Sequence, residues 1–390
     1  MRIAIFGGSF NPPHKGHLYS ALAAAKQIQP DQFFVIPDNL PPHKSLAEGS
    51  PTPRQRLELC RLNFAGVPGA EVSDLEIARG GVSYTADTLR ALREQYPDAE
   101  LYLLMGTDMF LTLDQWRDAD YILHNCIPVP FPRSPEELGV IAEKAQQLGS
   151  VCAVQPQIVQ TEPFPASSTE IRALLSERGG TQFLTDAVYA YIVKNRLFGV
   201  RVDFKWLRRK GEAMLRPKRI PHVRGCESEA VRLAERWGAD PEEAAEAAIL
   251  HDFTKRQPLP EQLRLCEKYG IIPDSLERSS EKLLHAKTAA AIAEQEFGAS
   301  AAVASAIRWH TTGRAGMSLL EKIVYMADYV EPNRTFPGVE RLRALAYEDL
   351  DAAMRLGLQM SIDDVRSYGN SVHPDTLRAL KFFEEKKSEL

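Results

Sequence analysis

Two groups of side chains in this chain have the types and spacing for phosphate chemistry. The first is His14-Lys15-Gly16-His17, which follows a short apolar strand, Ile3 to Phe6, and the loop Gly7-Gly8-Ser9-Phe10. Two imidazoles three residues apart, exposed backbone N–H groups and a helix predicted over Leu18 to Ile28 meet at one strand end. Such a corner binds a phosphate chain. The glycines let backbone approach the ligand where a Cβ would stand in the way. The second group is dispersed: His222, the pair His251-Asp252, His285, His310 and Asp328. Adjacent His and Asp side chains diverge by about 100° on a helix, so they can share a metal only at a helix end or across a two-metal centre. Asp328 falls in an apolar helical run, where an unpaired carboxylate is costly to bury. A metal ion would relieve that cost, and so would an arginine partner.

The elements that must position these groups differ between the two halves. Strand-like runs at Arg2 to Phe6, Gln32 to Pro37, Glu71 to Ser73, Leu101 to Gly106, Tyr121 to Val129 and Val151 to Gln155 alternate with helical patterns such as Pro53 to Phe64 and Thr85 to Gln95. This alternation predicts an α/β fold, a doubly wound parallel sheet with its ligand at the carboxyl ends of the strands, near a switch in strand order. From about Phe204 the pattern is all-α, with helices predicted over Glu227 to Trp237, Pro241 to Asp252, Ser279 to Phe297, Ala299 to His310 and Ser318 to Val330. A first domain is therefore expected over 1–199 and a second over 204–390. The 390 residues suit two or three domains, and 44% apolar with 25% charged residues is ordinary for globular chains. A net charge of −5 gives no global field for nucleic acid. Five cysteines without zinc or redox spacing, and no apolar run long enough for a bilayer, lead us to expect a cytoplasmic protein that binds neither nucleic acid nor membrane. Whether it forms a homo-oligomer is open.

Four further segments fit a nucleotide pocket. The stiff loop PDNLPPHK presents Lys44. The hydroxyls of Ser83-Tyr84-Thr85 suit a helix N-cap. Gly106-Thr107-Asp108 follows an apolar strand, with Trp116 downstream as a ring to stack or to fill the core. Ser167-Ser168-Thr169 opens a helix that carries Arg172, so donors, helix dipole and guanidinium converge. Taken in order, GGSFNPPHKGH, PPHK, SYTADTL, GTDMF, SSTEIR and VYAYIVKNRLFG resemble the bacterial nicotinate-nucleotide adenylyltransferases, a family of HxGH nucleotidylyltransferases with a Rossmann-like fold. The proline-rich IPVPFPRSPEE departs from the family pattern. The resemblance implies ATP and nicotinate mononucleotide as substrates, with Mg²⁺ arriving on ATP. It places His14 and His17 at the α- and β-phosphates, Lys44 along the phosphate chain, and Arg172, Ser168 and Thr169 at the leaving pyrophosphate. Gly7, Gly8, Ser9, Phe10 and Ser167 would line the nucleotide site, with Thr85, Gly106, Asp108 and Trp116 towards the mononucleotide.

In the second half, the order His222, His251-Asp252, Asp328 resembles the HD phosphohydrolases, and His285 with His310 matches their two-metal members. The wording HTTGRAGMSLLEKIVYMADYVEPNR is similar to the symmetrical diadenosine tetraphosphate hydrolases. That resemblance implies diadenosine tetraphosphate as substrate and two transition-metal ions on these six residues, with Asp252 catalytic. Nitrogen and carboxylate donors suit Fe, with Mn or Co as alternatives. Lys255, Arg314 and Arg334 would meet the substrate phosphates. A regulatory nucleotide-binding module, or another nucleotide as substrate, stays open for this half.

Overall fold

The structure, a computed structural model, describes residues 1–42, 46, 49–160 and 164–388. It divides into two compact units, Met1–Arg201 and Val202–Leu390.

In the first unit five parallel strands, β1 (Arg2–Gly8), β2 (Gln32–Pro37), β3 (Ala70–Val72), β4 (Glu100–Gly106) and β5 (Ile127–Phe131), form one sheet in the order β3-β2-β1-β4-β5. Side chains alternate between its faces. Ala4, Phe6, Phe33, Val35 and Leu104 face one way, towards Ala21 and Ala24 of helix α1 (Lys15–Ile28) and Cys60 and Phe64 of helix α2 (Pro53–Phe64). Ile3, Ile5, Phe34, Ile36, Leu101 and Leu103 face the other way, towards Leu89 and Leu92 of helix α3 (Thr85–Gln95). Both faces are covered, which is why β1, β2 and β4 read as nearly continuous apolar runs. Strand order reverses between β1 and β4, so the Gly7-Gly8 and Gly106 loops open side by side at the switch point.

The structure corrects three of the expected elements. The helix after the histidine motif begins at Lys15 rather than Leu18, which makes His14 its N-cap. The run Tyr121 to Val129 is not one strand: Ala119–Asn125 is helical, and the strand is the proline-bearing Ile127–Phe131. The apolar residues Ile122 and Cys126 are four apart, a helical spacing, with the polar His124 and Asn125 between them. No strand forms at Val151 to Gln155, which is turn and bend. The chain reaches β5 slightly later, where the Gln157 and Val159 N–H groups donate to the carbonyls of Pro128 and Pro130 at 2.9 and 3.0 Å. Those prolines have no N–H to return, so the pairing runs one way and stays irregular.

The second unit is built of helices joined by turns and loops, with no strand among its described residues. Helix α4 (Ser168–Ser176) belongs to the first unit, and helix α5 spans Ile220–Trp237 in the second. It packs on α6 (Pro241–Leu250) and α9 (Leu319–Val330), while α7 (Glu281–Glu296) packs on α8 (Ala301–Trp309). Helix α5 starts seven residues before the expected Glu227, with Pro221 in its first turn. His222 therefore lies on the helix and not ahead of it.

Candidate active sites

The first unit holds a cavity of about 520 Å³ at the switch point, within the size range of small-ligand sites. It is lined by Gly7, Gly8, Ser9, Phe10, His14, His17, Thr85, Gly106, Asp108, Trp116, Ser167, Ser168, Thr169 and Arg172. Thus every site residue expected in this half is brought to one cavity except Lys44, which lies outside the described residues.

The two histidines build their own support. The Gly16 N–H donates to His14 Nδ1 at 3.1 Å, and the His14 N–H donates to His17 Nδ1 at 3.2 Å. This is a capping box made with imidazoles in place of the usual hydroxyl and carboxylate. Both Nδ1 atoms accept, so each neutral ring carries its proton on Nε2, a donor suited to phosphate oxygen. The rings lie 3.8 Å apart between centroids. Phe164 stacks nearly parallel on His14 at 5.1 Å, and a Cβ at residue 16 would come within 2.6 Å of Phe164 and 2.9 Å of His14. Gly16 is therefore required by a close approach, not by its backbone angles.

Burial, with Arg133 nearby, lowers the His14 pKa to about 4. Between about pH 6.5 and 4 the unfolded chain takes up a proton that folded His14 refuses, so this group's contribution to stability is lost as pH falls through that window. An NMR titration is expected to place the His14 midpoint near 4 in the free protein and higher once pyrophosphate binds. A midpoint near 6.5 without ligand would contradict this environment.

Helix α4 closes the opposite wall. Ser167 is its N-cap, paired with Glu170 in a second capping box, so its hydroxyl is already committed. Ser168 Oγ donates to the Pro12 carbonyl at 2.9 Å. Arg172 donates to the Asn11 carbonyl at 2.6 Å and to Thr169 Oγ1 at 3.0 Å. The helix start is thereby fastened to the loop that precedes His14. The expected hydroxyl cap at Ser83 to Thr85 is not made: Tyr84 is the N-cap of α3 without a side-chain cap bond, and Ser83 Oγ accepts the Asn39 N–H at 2.9 Å. Trp116 is half-buried, both packed against the core and facing the cavity.

Two supporting residues escaped the sequence reading. Arg133 lines the cavity and pairs with Asp108 at 2.9 Å. Arg56, fully buried, pairs with Asp38 at 2.8 Å and donates to the carbonyls of Ser9, Asp38 and Asn39. It ties the glycine loop to the loop after β2. Removing one partner of a buried pair costs about 3–5 kcal/mol. Arg56→Met is expected to destabilise the chain by that amount in denaturant melts. A loss below about 1 kcal/mol would show that the tie is dispensable.

In the second unit the six expected ligands converge. Asp252 sits in the turn just after α6, and its carboxylate faces two groups. Oδ2 lies 3.4 Å from His251 Nε2 and 3.9 Å from His222 Nε2, while Asp328 Oδ1 lies 3.0 and 3.9 Å from His222 and His251 Nε2 respectively. Oδ1 lies 3.3 Å from His285 Nε2 and 3.9 Å from His310 Nε2. Donors about 2.0–2.2 Å from one ion lie roughly 3–3.5 Å apart, so the shorter pairs of both groups, at 3.0, 3.4 and 3.3 Å, have ligand-like spacing and the 3.9 Å pairs are wider.

Each ring is oriented by its other nitrogen. His251, His285 and His310 direct Nδ1 at the carbonyls of Ala248, Lys282 and Ile307 at 2.7, 2.7 and 2.6 Å. His222 directs Nδ1 at Glu331 Oε1, 3.0 Å away. With Nδ1 donating, all four Nε2 lone pairs point inward, as in metal-bound histidines. His251 Nε2 and Asp252 Oδ1 are buried and have no hydrogen-bond partner. The Nε2 atoms of His285 and His310 face each other at 3.1 Å, two acceptors that a shared cation would reconcile. The residues fit divalent ions.

Protonation states agree at both carboxylates and at His285 and His310, but not at His251. Burial would raise the pKa of both carboxylates, but histidine neighbours, with Lys255 beside Asp252 and Arg334 beside Asp328, hold them well below the usual range. Burial, reinforced by neighbouring cationic groups, lowers His285 and His310. At His251 burial also acts to lower, yet Asp252 and Asp328 outweigh it and raise the pKa.

Lys255 Nζ lies 3.1 Å from His285 Nε2 and 3.5 Å from Asp252 Oδ1, and Arg334 donates to Asp328 Oδ1 at 2.8 Å. Two of the three expected phosphate-binding cations are thus at the cluster. Arg314 is not brought there among the described contacts: it forks onto buried Glu321 at 3.0–3.2 Å. The sequence reading missed Arg219, which donates to Asp252 Oδ2 at 2.6 Å, and also Glu331 and Cys226. Cys226 was detectable, being four residues after His222 on one helix face. Arg219, three residues before His222, and Glu331, three after Asp328, carried only the three-residue spacing.

A parallel sheet with a phosphate corner at its switch point, followed by a helical bundle gathering four histidines and two aspartates, defines a nucleotidyltransferase-like domain joined to a metal-binding phosphohydrolase domain. A family model described as cytidylyltransferase-like matches residues 5–174, and the HD domain model matches residues 219–333. The chain belongs to the nicotinate-nucleotide adenylyltransferase family through its first half and to the symmetrical bis(5'-nucleosyl)-tetraphosphatase family through its second. A "probable nicotinate-nucleotide adenylyltransferase" of Gemmatimonas aurantiaca is 37% identical over 201 residues, covering 51% of this chain and 92% of that protein. The symmetrical bis(5'-nucleosyl)-tetraphosphatase of Bacillus subtilis is 40% identical over 159 residues, covering 40% of this chain and 85% of that protein. A crystal structure from Clostridium acetobutylicum, described as a "predicted HD superfamily hydrolase involved in NAD metabolism", is 34% identical with a TM-score of 0.46, covering 47% of this chain and 97% of that one. The second unit is accordingly a divalent-metal domain. No described helix is long and apolar enough to cross a membrane.

Proposed function

We propose that the chain is a bifunctional, cytoplasmic enzyme. Its first unit transfers AMP from ATP to nicotinate mononucleotide, and its second hydrolyses diadenosine tetraphosphate to two ADP. The observation that carries the first activity is the imidazole capping box at the mouth of the nucleotide cavity. In that reaction a phosphate oxygen of the mononucleotide attacks the α-phosphorus of ATP, the bond to the β-phosphate breaks, and pyrophosphate leaves. His14 and His17 hold Nε2–H donors at the developing charge, and the fixed helix start behind them needs no reorganisation. Arg172, with Ser168 and Thr169, receives the leaving pyrophosphate; Lys44, outside the described residues, is assigned to the phosphate chain by the family resemblance alone. Thr85 and Asp108 border the mononucleotide, and Trp116 offers its ring face to the pyridine. Mg²⁺ enters on the nucleotide, neutralising phosphate charge.

The second activity rests on the split carboxylate of Asp252, which faces two sets of donors. His222, His251, Asp252 and Asp328 would hold one ion, and Asp252, His285 and His310 the other. Fe is the expected metal, with Mn and Co as the nearest alternatives. Bound there, such ions supply Lewis acidity at a phosphoryl oxygen and activate the attacking water. Lys255 and Arg334 stand at the cluster's edge to take substrate phosphates. A single product assay tests the reading. Full-length protein given diadenosine tetraphosphate should yield ADP alone, and given ATP with nicotinate mononucleotide should yield the dinucleotide and pyrophosphate. ATP plus AMP from the tetraphosphate, or indifference to the mononucleotide, would overturn the corresponding half.

A further inference from the structure

Cys226 lies one turn beyond His222 on α5, a spacing that puts both side chains on one helix face. Its Sγ is fully buried, 3.3 Å from His222 Nε2 and 4.0 Å from Asp328 Oδ1. The donor atoms of His222, Cys226, His251 and Asp328 all lie within 4.8 Å of one another. His251 Nε2, on a residue 1% exposed and without a hydrogen-bond partner, belongs to the same group. A core cysteine normally packs among aliphatic groups, whereas this sulfur is surrounded by inward-pointing nitrogen and oxygen donors. With metal–sulfur and metal–nitrogen bonds of about 2.3 and 2.0–2.1 Å, sulfur and nitrogen on one ion lie roughly 3.1–3.6 Å apart, which brackets the observed 3.3 Å.

We propose that Cys226 is a further ligand of the first ion position, which therefore takes thiophilic divalent ions in preference to oxygen-seeking ones. The inference rests on the reading of the cluster as a metal centre. On binding, the S–H bond yields its proton to water and the sulfur lone pair forms the bond to the ion, with no change of oxidation state. Gly225, three residues after His222 on the same helix, leaves room for the group that orients that ring. A Cβ there would come within 2.2 Å of Glu331 Oε2, so the bare backbone lets Glu331 reach His222 and aim it at the same point.

The test uses full-length protein freed of metal by a chelator and titrated with Co²⁺. Visible d–d absorption reports binding to the His/Asp donors, and a near-ultraviolet charge-transfer band reports a sulfur–cobalt bond. The wild-type chain should show both. Cys226→Val, and the nearly isosteric Cys226→Ser, should keep the d–d absorption and lose the near-ultraviolet band. Cys60, Cys126, Cys152 and Cys266 remain in both variants, so the loss assigns the band. Competition titrations should show Zn²⁺ affinity falling at least about tenfold in Cys226→Val, with Mn²⁺ affinity changed less than about twofold. Absorption in the d–d region without the near-ultraviolet band in the wild type, or a band that survives in both variants, overturns the role of Cys226. No Co²⁺ binding at all would instead remove the metal-centre reading on which it rests.

Discussion

Asp252→Ala is expected to lower hydrolysis of diadenosine tetraphosphate by at least about a thousandfold and to release metal, leaving adenylyl transfer within about twofold of wild type. The size follows from what this residue touches. Among the described residues, Asp252 is the one side chain whose two oxygens face the two donor groups separately. On the proposed reading its loss removes a ligand from each ion position. Lewis-acid stabilisation amounts to several kcal/mol, and each 1.36 kcal/mol is a factor of ten in rate. The substitution also strands Arg219 and Lys255, which now balance its charge. A fold defect is separated from a metal defect by Asp252→Asn, which keeps the shape and one neutral oxygen donor. Asn should retain helical content yet still lose most of its bound metal. If Asp252→Asn held two ions per chain and hydrolysed at the wild-type rate, Asp252 would not be the bridge.

The second large effect is expected at His17. His17→Ala should slow adenylyl transfer by about 10²–10³-fold, the usual loss when one preorganised donor to a developing charge is removed, and should spare hydrolysis. The ring also accepts the His14 N–H, so alanine breaks one half of the capping box at a cost of about 1 kcal/mol. His17→Gln distinguishes the two contributions. Glutamine at this third helical position can reach back to the N-cap N–H, as in the usual capping box, but offers no ring donor to the phosphate. Stability should return and the rate should not. Recovery of the rate in His17→Gln would reduce the histidine to a cap.

Much of this was legible because both sites are built at element ends, where local sequence carries strong signals. Gly7-Gly8, Gly106 and Ser167 each mark a strand end or a helix start, and the sheet order places them together once the parallel alternation is read. His251-Asp252 announced itself by falling where a helix pattern stops. The errors came where apolar content outweighed spacing. Tyr121 to Asn125 looked like strand because its apolar opening, Tyr121-Ile122-Leu123, is followed closely by the apolar Cys126-Ile127, while the real strand was disguised by Pro128 and Pro130, tolerable only because their missing N–H groups face the sheet edge. The late starts assigned to α1 and α5 moved His17 and His222 off their helices, which hid the imidazole capping box and the His222–Cys226 pairing. The supporting residues were the least legible. Glu331 meets His222 across 109 positions of sequence, and no local pattern encodes that distance. Arg314, placed beside a histidine in sequence, turned instead to Glu321 seven residues on.

The central claim is that one chain carries two chemically independent sites, one of which needs resident metal. The most direct measurement follows both reactions in one full-length sample before chelation, after removal of bound metal, and after reloading. The account predicts that chelation abolishes ADP formation from diadenosine tetraphosphate, that reloading with Fe²⁺, Mn²⁺ or Co²⁺ restores it, and that adenylyl transfer assayed with added Mg²⁺ stays constant throughout. Parallel loss and recovery of both activities, or hydrolysis that persists in metal-free protein, would contradict it.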